Sequence, residues 1–537
     1  MSYEFVTTPA PVRISRRFAR AILPPAGSRA AARLQSLRSR LWLYGLVVTV
    51  WAIYAFFLSA GNLRNWPGYI SFHDLLAEGF RAGKLSIPIA PAPELLAAKN
   101  PYDPENIRYW LLDATYYKGH YYIYWGPVPA LLQAAAKSVL NIKRLIGDQY
   151  LVYFFSCQAL WFGALLIERV VRRLFGAVSR LLTALGILAF AFANPTLHGV
   201  TTASVYTVSI VGGQAFLLAG LVPAFDAVWA PDEARARRGR LLLAGACWGL
   251  ALATRITVAP TVALFVVLTA IAVRTSDERR WVSVFSNTLC LAAPLAVCSA
   301  ALLGYNKVRF DKWFEFGTNI QLAAFPTFRV SSSYLLPNLY SYTLRPFKVA
   351  CQFPYLFQVW TMGPEAFPNW LKPPSEYMVL EPVVGWLRSI PLSWLIPWAF
   401  LLAPRPLGLT LRQHRGYLWC LAMFSTFASV TGIVGMGTYG ATMRYMSDIT
   451  YGLVLLSLLG AYALRSHRVS RYMPKTTSAV VSLLALASTV IGILLGYHGY
   501  NAHIQRFNTE LDAKIVKALS VCGGFPPELP RYDPWRR

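Results

Sequence analysis

Four carboxylates and two arginines stand out for the chemistry their positions allow. Asp74 and Glu78 lie four residues apart in SFHDLLAEGFRAGKL (71–85), and Asp103 and Asp113 fall in NPYDPENIRYWLLDATYYKGHYYIYWGPVPALL (100–132). A carboxylate next to a substrate hydroxyl can take its proton as the oxygen attacks. Cations are then needed to hold an anionic leaving group. Arg255, in LATRITVAP, and Arg444 each sit close to one end of an apolar run. Ionisable residues at such depth are costly and mark functional sites by default, although a long arginine can also snorkel to the headgroups. Lys307 and Arg309 follow another apolar run and could reach a phosphate or simply anchor the chain at the membrane surface.

Helical elements must carry the acids. In 71–85, Phe72, Leu75, Leu76, Gly79 and Phe80 share one helix face, and Asp74, Glu78 and Arg81 share the other. The plain reading is a solvated amphipathic helix; the functional one is a pair of carboxylates presented together. Asp103-Pro104 is a helix-start signal, so capping accounts for Asp103. Asp113 falls near the expected C-terminal end of that helix, where the helix dipole disfavours a negative charge, so some other demand keeps it there. His73, Lys118 and Tyr122 join Asp103 as substrate-binding candidates beside these acids. No ligand spacing around His73 or His120 is diagnostic of a metal, and none is assigned.

The 537 residues are 55% hydrophobic and 14% charged, well below the quarter or so usual for soluble domains. The net charge of +27 does not imply nucleic acid, because the basic residues form short clusters between apolar runs rather than one patch. That distribution is how a polytopic membrane protein keeps positive loops inside. Apolar runs occur at about 41–60, 149–170, 180–196, 203–229, 240–257, 258–273, 282–304, 384–403, 416–436, 448–464 and 477–498. The expectation is an all-α polytopic membrane protein with about eleven spans. A basic tail (1–40) carrying Arg13, Arg16, Arg17 and Arg20 precedes the first span (41–60), which reads as retained rather than cleaved. Between and after the spans come a first large loop (61–148) with juxtamembrane helices, a bundle (149–304), a second large loop (305–383), a second bundle (384–498) and a C-terminal tail (499–537). The clusters at Arg169/Arg172/Arg173/Arg180, Arg235/Arg237/Arg238/Arg240, Arg274/Arg279/Arg280, Arg405/Arg412/Arg415 and Arg465/Arg468/Arg471/Lys475 all fall on the side of the tail only if 126–140 does not cross. It is therefore read as a surface helix. Both large loops and the C-terminus then face outward, where the aromatic residues of 100–132 suit the membrane interface.

Seven cysteines show no metal or CxxC spacing, and most lie in apolar runs. Cys351 and Cys522 are the two placed outside; a disulfide between them requires Cα atoms within about 7 Å.

Several stretches carry a family resemblance. AEGFRAGKL, NPYDP and DATYYKGHYYIYWGPVPALL resemble the first outer loop of bacterial membrane glycosyltransferases of the GT-C fold, related to the dolichyl-phosphate-mannose mannosyltransferases. GYNKVRFDKWFEFGTNIQL (304–322) is similar to that group's turn into its second outer loop, and MRYMSDITYGLVLLSLLG (443–460) resembles its late helix with an Arg-Tyr pair. The resemblance implies a bacterial inner-membrane enzyme that moves a sugar from a polyprenyl-phosphate carrier to an acceptor on the outer face. It implies inverting chemistry with an acid of the first outer loop as base, and no cofactor beyond the divalent ion that some members use. Many members show adjacent acids early in that loop, whereas this chain has His73-Asp74 with Glu78 one turn later. On that basis Asp74 is the first expectation for the base, followed by Asp113, with Glu78 beside them. A transporter or lipid flippase, or a non-enzymatic envelope scaffold, are the alternatives. The sequence assigns neither donor sugar nor acceptor.

If the topology holds, a cysteine introduced at Gly119 reacts with an impermeant thiol reagent in intact cells, and one at Arg237 is protected. The reverse labelling pattern would overturn it.

Overall fold

The computed structural model describes residues 29–69, 71–176, 178–229, 234–273, 280–323, 330–358, 367–379, 381–402, 409–466, 473–499 and 502–523. The basic tail before residue 29 lies outside the described residues, as do Arg274, Arg279, Arg405, Arg468 and Arg471. The chain divides into two units, one ending at Thr49 and one beginning at Val50, and both large loops and both bundles belong to the second.

The apolar runs are helical. The long helices are α1 (Arg29–Leu58), α4 (Gln149–Leu174), α6 (Val205–Trp229), α9 (Arg280–Phe310), α11 (Met443–Ser466) and α12 (Pro474–His498), with α2 (Phe72–Arg81) and α3 (Val128–Val139) in the first large loop. Between them stand α5 (Arg180–Phe192), α7 (Ala234–Thr254), α8 (Ala259–Ala272) and α10 (Leu411–Ser429). Among the described residues, six helices are long and apolar enough to cross a membrane, where about eleven spans were expected. The difference has physical causes. Arg180–Phe192, Ile256–Ala272 and Pro391–Leu401 are apolar but short. Helices α7 and α10 begin in basic turns, at Arg235/Arg237/Arg238/Arg240 and Arg412/Arg415, which shortens their apolar length. Helix α3, which was not counted among the eleven, rises only about 18 Å over its 12 residues, too little for a bilayer core of about 30 Å.

Two helices are central. The apolar window of α6 is 94% buried and that of α11 is 89% buried, against 11% for α9. Buried on all sides, α6 carries its apolar residues around the whole helix rather than in a stripe. Close approach helps: a Cβ on Gly452 of α11 would lie 2.3 Å from the backbone nitrogen of Ala428 in α10.

The first large loop builds a small core of its own. Phe72 and Leu76 of α2 pack with Ile87, Leu95, Tyr116, Tyr121, Ile123 and Trp125, and this cluster closes on Val205 at the start of α6 and on Leu322. Tyr116, Tyr121 and Trp125 are therefore core residues, where interface anchoring was expected. Strands β1 (Thr115–Tyr117) and β2 (His120–Tyr122) pair antiparallel. Their turn, Lys118-Gly119, has positive φ at both residues (48° and 76°), a geometry that a glycine relieves. The expected helix after Asp103 is a 3₁₀ turn, Pro104–Tyr109, and Asp103 caps it by accepting from the Glu105 N–H at 3.1 Å. The element ends four residues before Asp113, so no helix end places Asp113 where it is; a turn and the contacts between the two loops do.

Further small pairings are β3 (Phe347–Val349) with β4 (Leu356–Gln358), and β5 (Met378–Val379) parallel to β6 (Gly440–Ala441). Cys351 and Cys522 form a disulfide, with Cα atoms 5.6 Å apart. Around it the Val521 N–H donates to the Cys351 carbonyl at 3.0 Å, and the Phe353 N–H donates to Ser520 Oγ at 3.0 Å. The helix α13 (Thr509–Leu519) is held by the Tyr497 hydroxyl on Asp512 (2.9 Å), and Asn508 Nδ2 donates to the Ala60 carbonyl (2.9 Å). The tail thus ties the second large loop to the ends of α1 and α12. Closing so long a loop constrains the unfolded chain, and Cys351→Ala should lower stability by about 2–4 kcal/mol. Thermal unfolding in detergent, with and without reductant, checks this; a melting temperature insensitive to both would refute a stabilising role.

Candidate active site

The acids of α2 are enclosed. Helix α2 begins at Ser71, whose own side chain does not cap it. Asp148, at the start of α4, does so from across the loop: it accepts from the N–H groups of His73 (3.2 Å) and Asp74 (2.9 Å), and Ser71 Oγ accepts from the Asp148 N–H (3.2 Å). Burial pushes the Asp148 carboxyl up to about 8, although both backbone donors favour its charged form. Asp74 itself has no exposed surface. Its Oδ1 meets Lys137 Nζ at 2.8 Å, and its Oδ2 accepts from the N–H groups of Ile146 (2.6 Å) and Gly147 (2.7 Å). Glu78 pairs with Lys137 and with Arg81 (3.0 Å), and Arg81 donates to the Ile142 carbonyl (2.9 Å). The face expected to point into solvent is therefore packed on α3 and the 142–148 turn, with Asp74 inaccessible to a substrate. Lys137, a lone lysine in the otherwise apolar 126–140 run, was the signal for this pairing.

Asp113 is placed differently. It occupies a turn at φ 66°, a left-handed conformation that aspartate tolerates better than most residues. Its N–H donates to the Leu322 carbonyl at 2.9 Å, and the Leu322 N–H returns a bond to the Ala114 carbonyl at 2.9 Å. The two large loops are thus stitched together at this residue. Asp113 as a residue is partly buried; Oδ2 accepts from the Tyr206 hydroxyl, and Oδ1 accepts from Gln321 Nε2 at 3.2 Å. A carboxylate has about four acceptor sites, so capacity remains for an incoming hydroxyl. Burial holds the Asp113 pKa above the ordinary aspartate range, opposed by the Tyr206 bond, the Arg444 charge and the Gln321 bond.

The cations follow from the helices. Tyr206 is the second residue of α6 and Arg444 the second of α11, so both central helices begin at this site. The Arg444 guanidinium lies over the Tyr206 ring, 4.1 Å from its centroid, and its Nε is 2.5 Å from Glu381 Oε1. One turn further into α11, Asp448 pairs with Arg255 Nη2 at 2.6 Å, and Arg255 Nε donates to Thr257 Oγ1 at 2.7 Å. Gly126 fixes the first loop here: a Cβ would lie 1.9 Å from the Ala253 carbonyl oxygen, and its N–H donates to the Thr254 carbonyl at 3.2 Å. Tyr124, Tyr439 and Tyr445 are further side chains in the electrostatic reach of Arg444.

The remaining sequence candidates lie apart from Asp113. His73 is buried against Ser209 Oγ (3.3 Å), and burial lowers its pKa to about 3, leaving the ring neutral. Lys118 pairs with Asp311 at the surface (2.8 Å), while Tyr122 packs edge-on to Phe310 (5.3 Å). Lys307 donates to the Asp311 carbonyl (2.7 Å). Arg309, buried between Tyr305 and Phe310, donates to the Ile123 carbonyl (2.7 Å) and to Asn306 Oδ1 (2.7 Å). Neither is placed to hold a ligand at Asp113. Sequence reading missed Tyr206, Gln321, Glu381 and Asp448; of these only Asp448, an acid inside an apolar run, left a signal. Among the described residues no group of three or more histidine, cysteine or acidic side chains could hold a metal ion.

Fold and site define an almost wholly helical membrane protein with a carboxylate–arginine site where its two central helices begin. No family model and no curated protein matches the chain. Among solved structures it is similar to ArnT from Cupriavidus metallidurans bound to undecaprenyl phosphate, at 12% identity and a TM-score of 0.45, covering 85% of this chain and 77% of that one. It is also similar to the archaeal oligosaccharyltransferase AglB from Archaeoglobus fulgidus in complex with an inhibitory peptide and a dolichol-phosphate, at 13% identity and a TM-score of 0.45, covering 93% of this chain and 61% of that one.

The Asp74–Lys137 pair should behave as structure. Lys137→Ala leaves a buried carboxylate uncompensated and should cost about 3–5 kcal/mol, with Asp74→Asn/Lys137→Met recovering most of the loss. Unfolding of the purified variants measures this. A single variant as stable as the unaltered chain would refute the assignment.

Proposed function

We propose that the chain is a membrane glycosyltransferase that moves a sugar from a polyprenyl-phosphate carrier to an acceptor hydroxyl on the outer face of the membrane, with Asp113 as general base. The observation that carries this reading is Asp113 itself: a partly buried aspartate with spare acceptor capacity, one tyrosine away from the Arg444 guanidinium. The resemblance of DATYYKGHYYIYWGPVPALL and MRYMSDITYG to the loop and late helix of GT-C enzymes supports it from the sequence side. In this reading the acceptor oxygen attacks the anomeric carbon and Asp113 takes its proton. The bond from that carbon to the phosphate oxygen breaks, and the polyprenyl phosphate leaves with inverted configuration at the sugar. Arg444 balances the charge developing on the phosphate, with Arg255 one turn deeper. Asp74, the first expectation from sequence, acts instead as a buried anchor of the loop that carries Asp113.

A transporter reading draws on the Arg255–Asp448 pair inside the bundle, where ionisable pairs mark ion or substrate paths. Comparing lipid-linked and surface glycans from cells with the unaltered chain, with Asp113→Asn and without the protein separates the two. Asp113→Asn should lower transfer by ~10²–10⁴ and leave the lipid-linked donor accumulated. A base must be deprotonated, so the transfer rate should rise with pH through a midpoint above the ordinary aspartate value, given the upward shift of Asp113. Unchanged glycans in well-folded Asp113→Asn protein would refute the assignment.

A further inference from the structure

The carboxylate facing Arg444 comes from the second large loop, through an arrangement more elaborate than a chance pair. Strands β5 and β6 pair in parallel, Met378 with Gly440 and Val379 with Ala441. This register sets Glu381, two residues beyond β5, beside Arg444, three residues beyond β6. The same stretch is fastened at other points. Asn338 Nδ2 donates to the carbonyls of Met436 (2.8 Å) and Thr438 (2.7 Å), and the Tyr377 hydroxyl donates to Asn338 Oδ1 (2.7 Å). The Thr442 N–H donates to the Tyr342 hydroxyl at 3.1 Å. The second loop thus grips the short segment that leads into α11.

Glu381 is a poor stabiliser for so much scaffolding. It is buried, its Oε1 lies 2.5 Å from Arg444 Nε, and its Oε2 has no hydrogen-bond partner among the described residues. Buried ion pairs seldom add net stability even when fully satisfied, because both charges lose their water. What this pair does supply is orientation. The nearest approach is to Nε, at the stem side of the guanidinium, a charge contact without a hydrogen bond, and the guanidinium carbon lies over the Tyr206 ring. The terminal nitrogens are then the ones that a phosphoryl oxygen would meet, in the paired geometry arginine favours. A second consequence concerns Asp113. Arg444 already feels the Asp113 charge, and Tyr206 lies between them. Without Glu381 the guanidinium would be drawn onto Asp113, which would spend the phosphate-binding cation and the proton-accepting carboxylate on each other.

We propose that Glu381 is a positioning residue: it holds Arg444 over Tyr206 as the docking point for a phosphate-bearing lipid and keeps it off Asp113. The proposal rests on the glycosyltransferase reading only through the lipid phosphate, so binding, rather than transfer, is the test. The probe is undecaprenyl phosphate, titrated against the detergent-solubilised full chain and followed by native mass spectrometry. Glu381→Gln, nearly the same shape, should weaken binding about tenfold, a coupling of the size expected for directly interacting side chains. In an Arg444→Gln background the same substitution should change binding less than about twofold, since nothing is left to position. A merely structural role would lower affinity equally in both backgrounds, and that result overturns the proposal. So does an unchanged affinity in Glu381→Gln alone. If the unaltered chain does not bind the probe while Asp113→Asn still abolishes glycan transfer, the proposal falls and the glycosyltransferase reading stands. If neither holds, both fall.

Discussion

A charge taken out of water must meet its counter-charge inside the protein, and the architecture around both large loops depends on that requirement. Three carboxylate–cation contacts are taken largely out of water: Asp74 with Lys137, Asp448 with Arg255, and Glu381 with Arg444. Each joins segments far apart in sequence. The first locks α2 to α3 within the first loop, the second fixes the start of the Ile256–Ala272 segment against α11, and the third draws the second loop onto α11. Breaking such a pair strands a buried ion, a far larger penalty than the pair's own net worth. Its effect is to make alternative loop placements expensive.

Asp113, the proposed base, is the exception. It has neutral donors, Tyr206 and Gln321, in place of a direct cation, and it is only partly buried as a residue. Burial raises its proton affinity, and the nearby Arg444 charge moderates that rise without cancelling it. Asp74, with three donors and no exposed surface, has the opposite surroundings. Two aspartates of one loop thereby sit in different surroundings, one sealed as an anchor and the other, the proposed base, left with spare acceptor capacity.

The position of the site reflects the burial of the bundle. Helices α6 and α11 are the most enclosed spans, and their first turns carry Tyr206, Arg444 and Tyr445. These three residues are partly buried at the mouths of the enclosed helices, so the helices fix their backbone while their side chains remain next to the loops. The loops supply what the helices cannot: Asp113 from the first, Gln321 and Glu381 from the second. The disulfide and the bonds of α13 then tie that second loop to the ends of α1 and α12.

Composition and periodicity determined the class of protein and the position of nearly every helix, because a bilayer demands long apolar runs and backbone bonding within each segment. They also determined the Asp103 cap, the short helix at 128–139 and the Arg255 and Arg444 candidates, since caps, lengths and buried charges are local signals. The role of each acid was decided only in three dimensions. On α2 the amphipathic pattern made Asp74 and Glu78 look solvated, because a helix face that binds Lys137 and backbone N–H groups reads in sequence like one that binds water. The tyrosines of 116–122 read as interface anchors, because burial against Leu322, some two hundred residues away, leaves no local trace. Glu381 and Gln321 reach the site through pairings of strand or backbone between distant segments, β5 with β6 and Asp113 with Leu322. Hydrophobic patterning reports which face of an element leaves water, not which distant segment meets it, so the partners of Asp113 and Arg444 were a property of the tertiary structure alone.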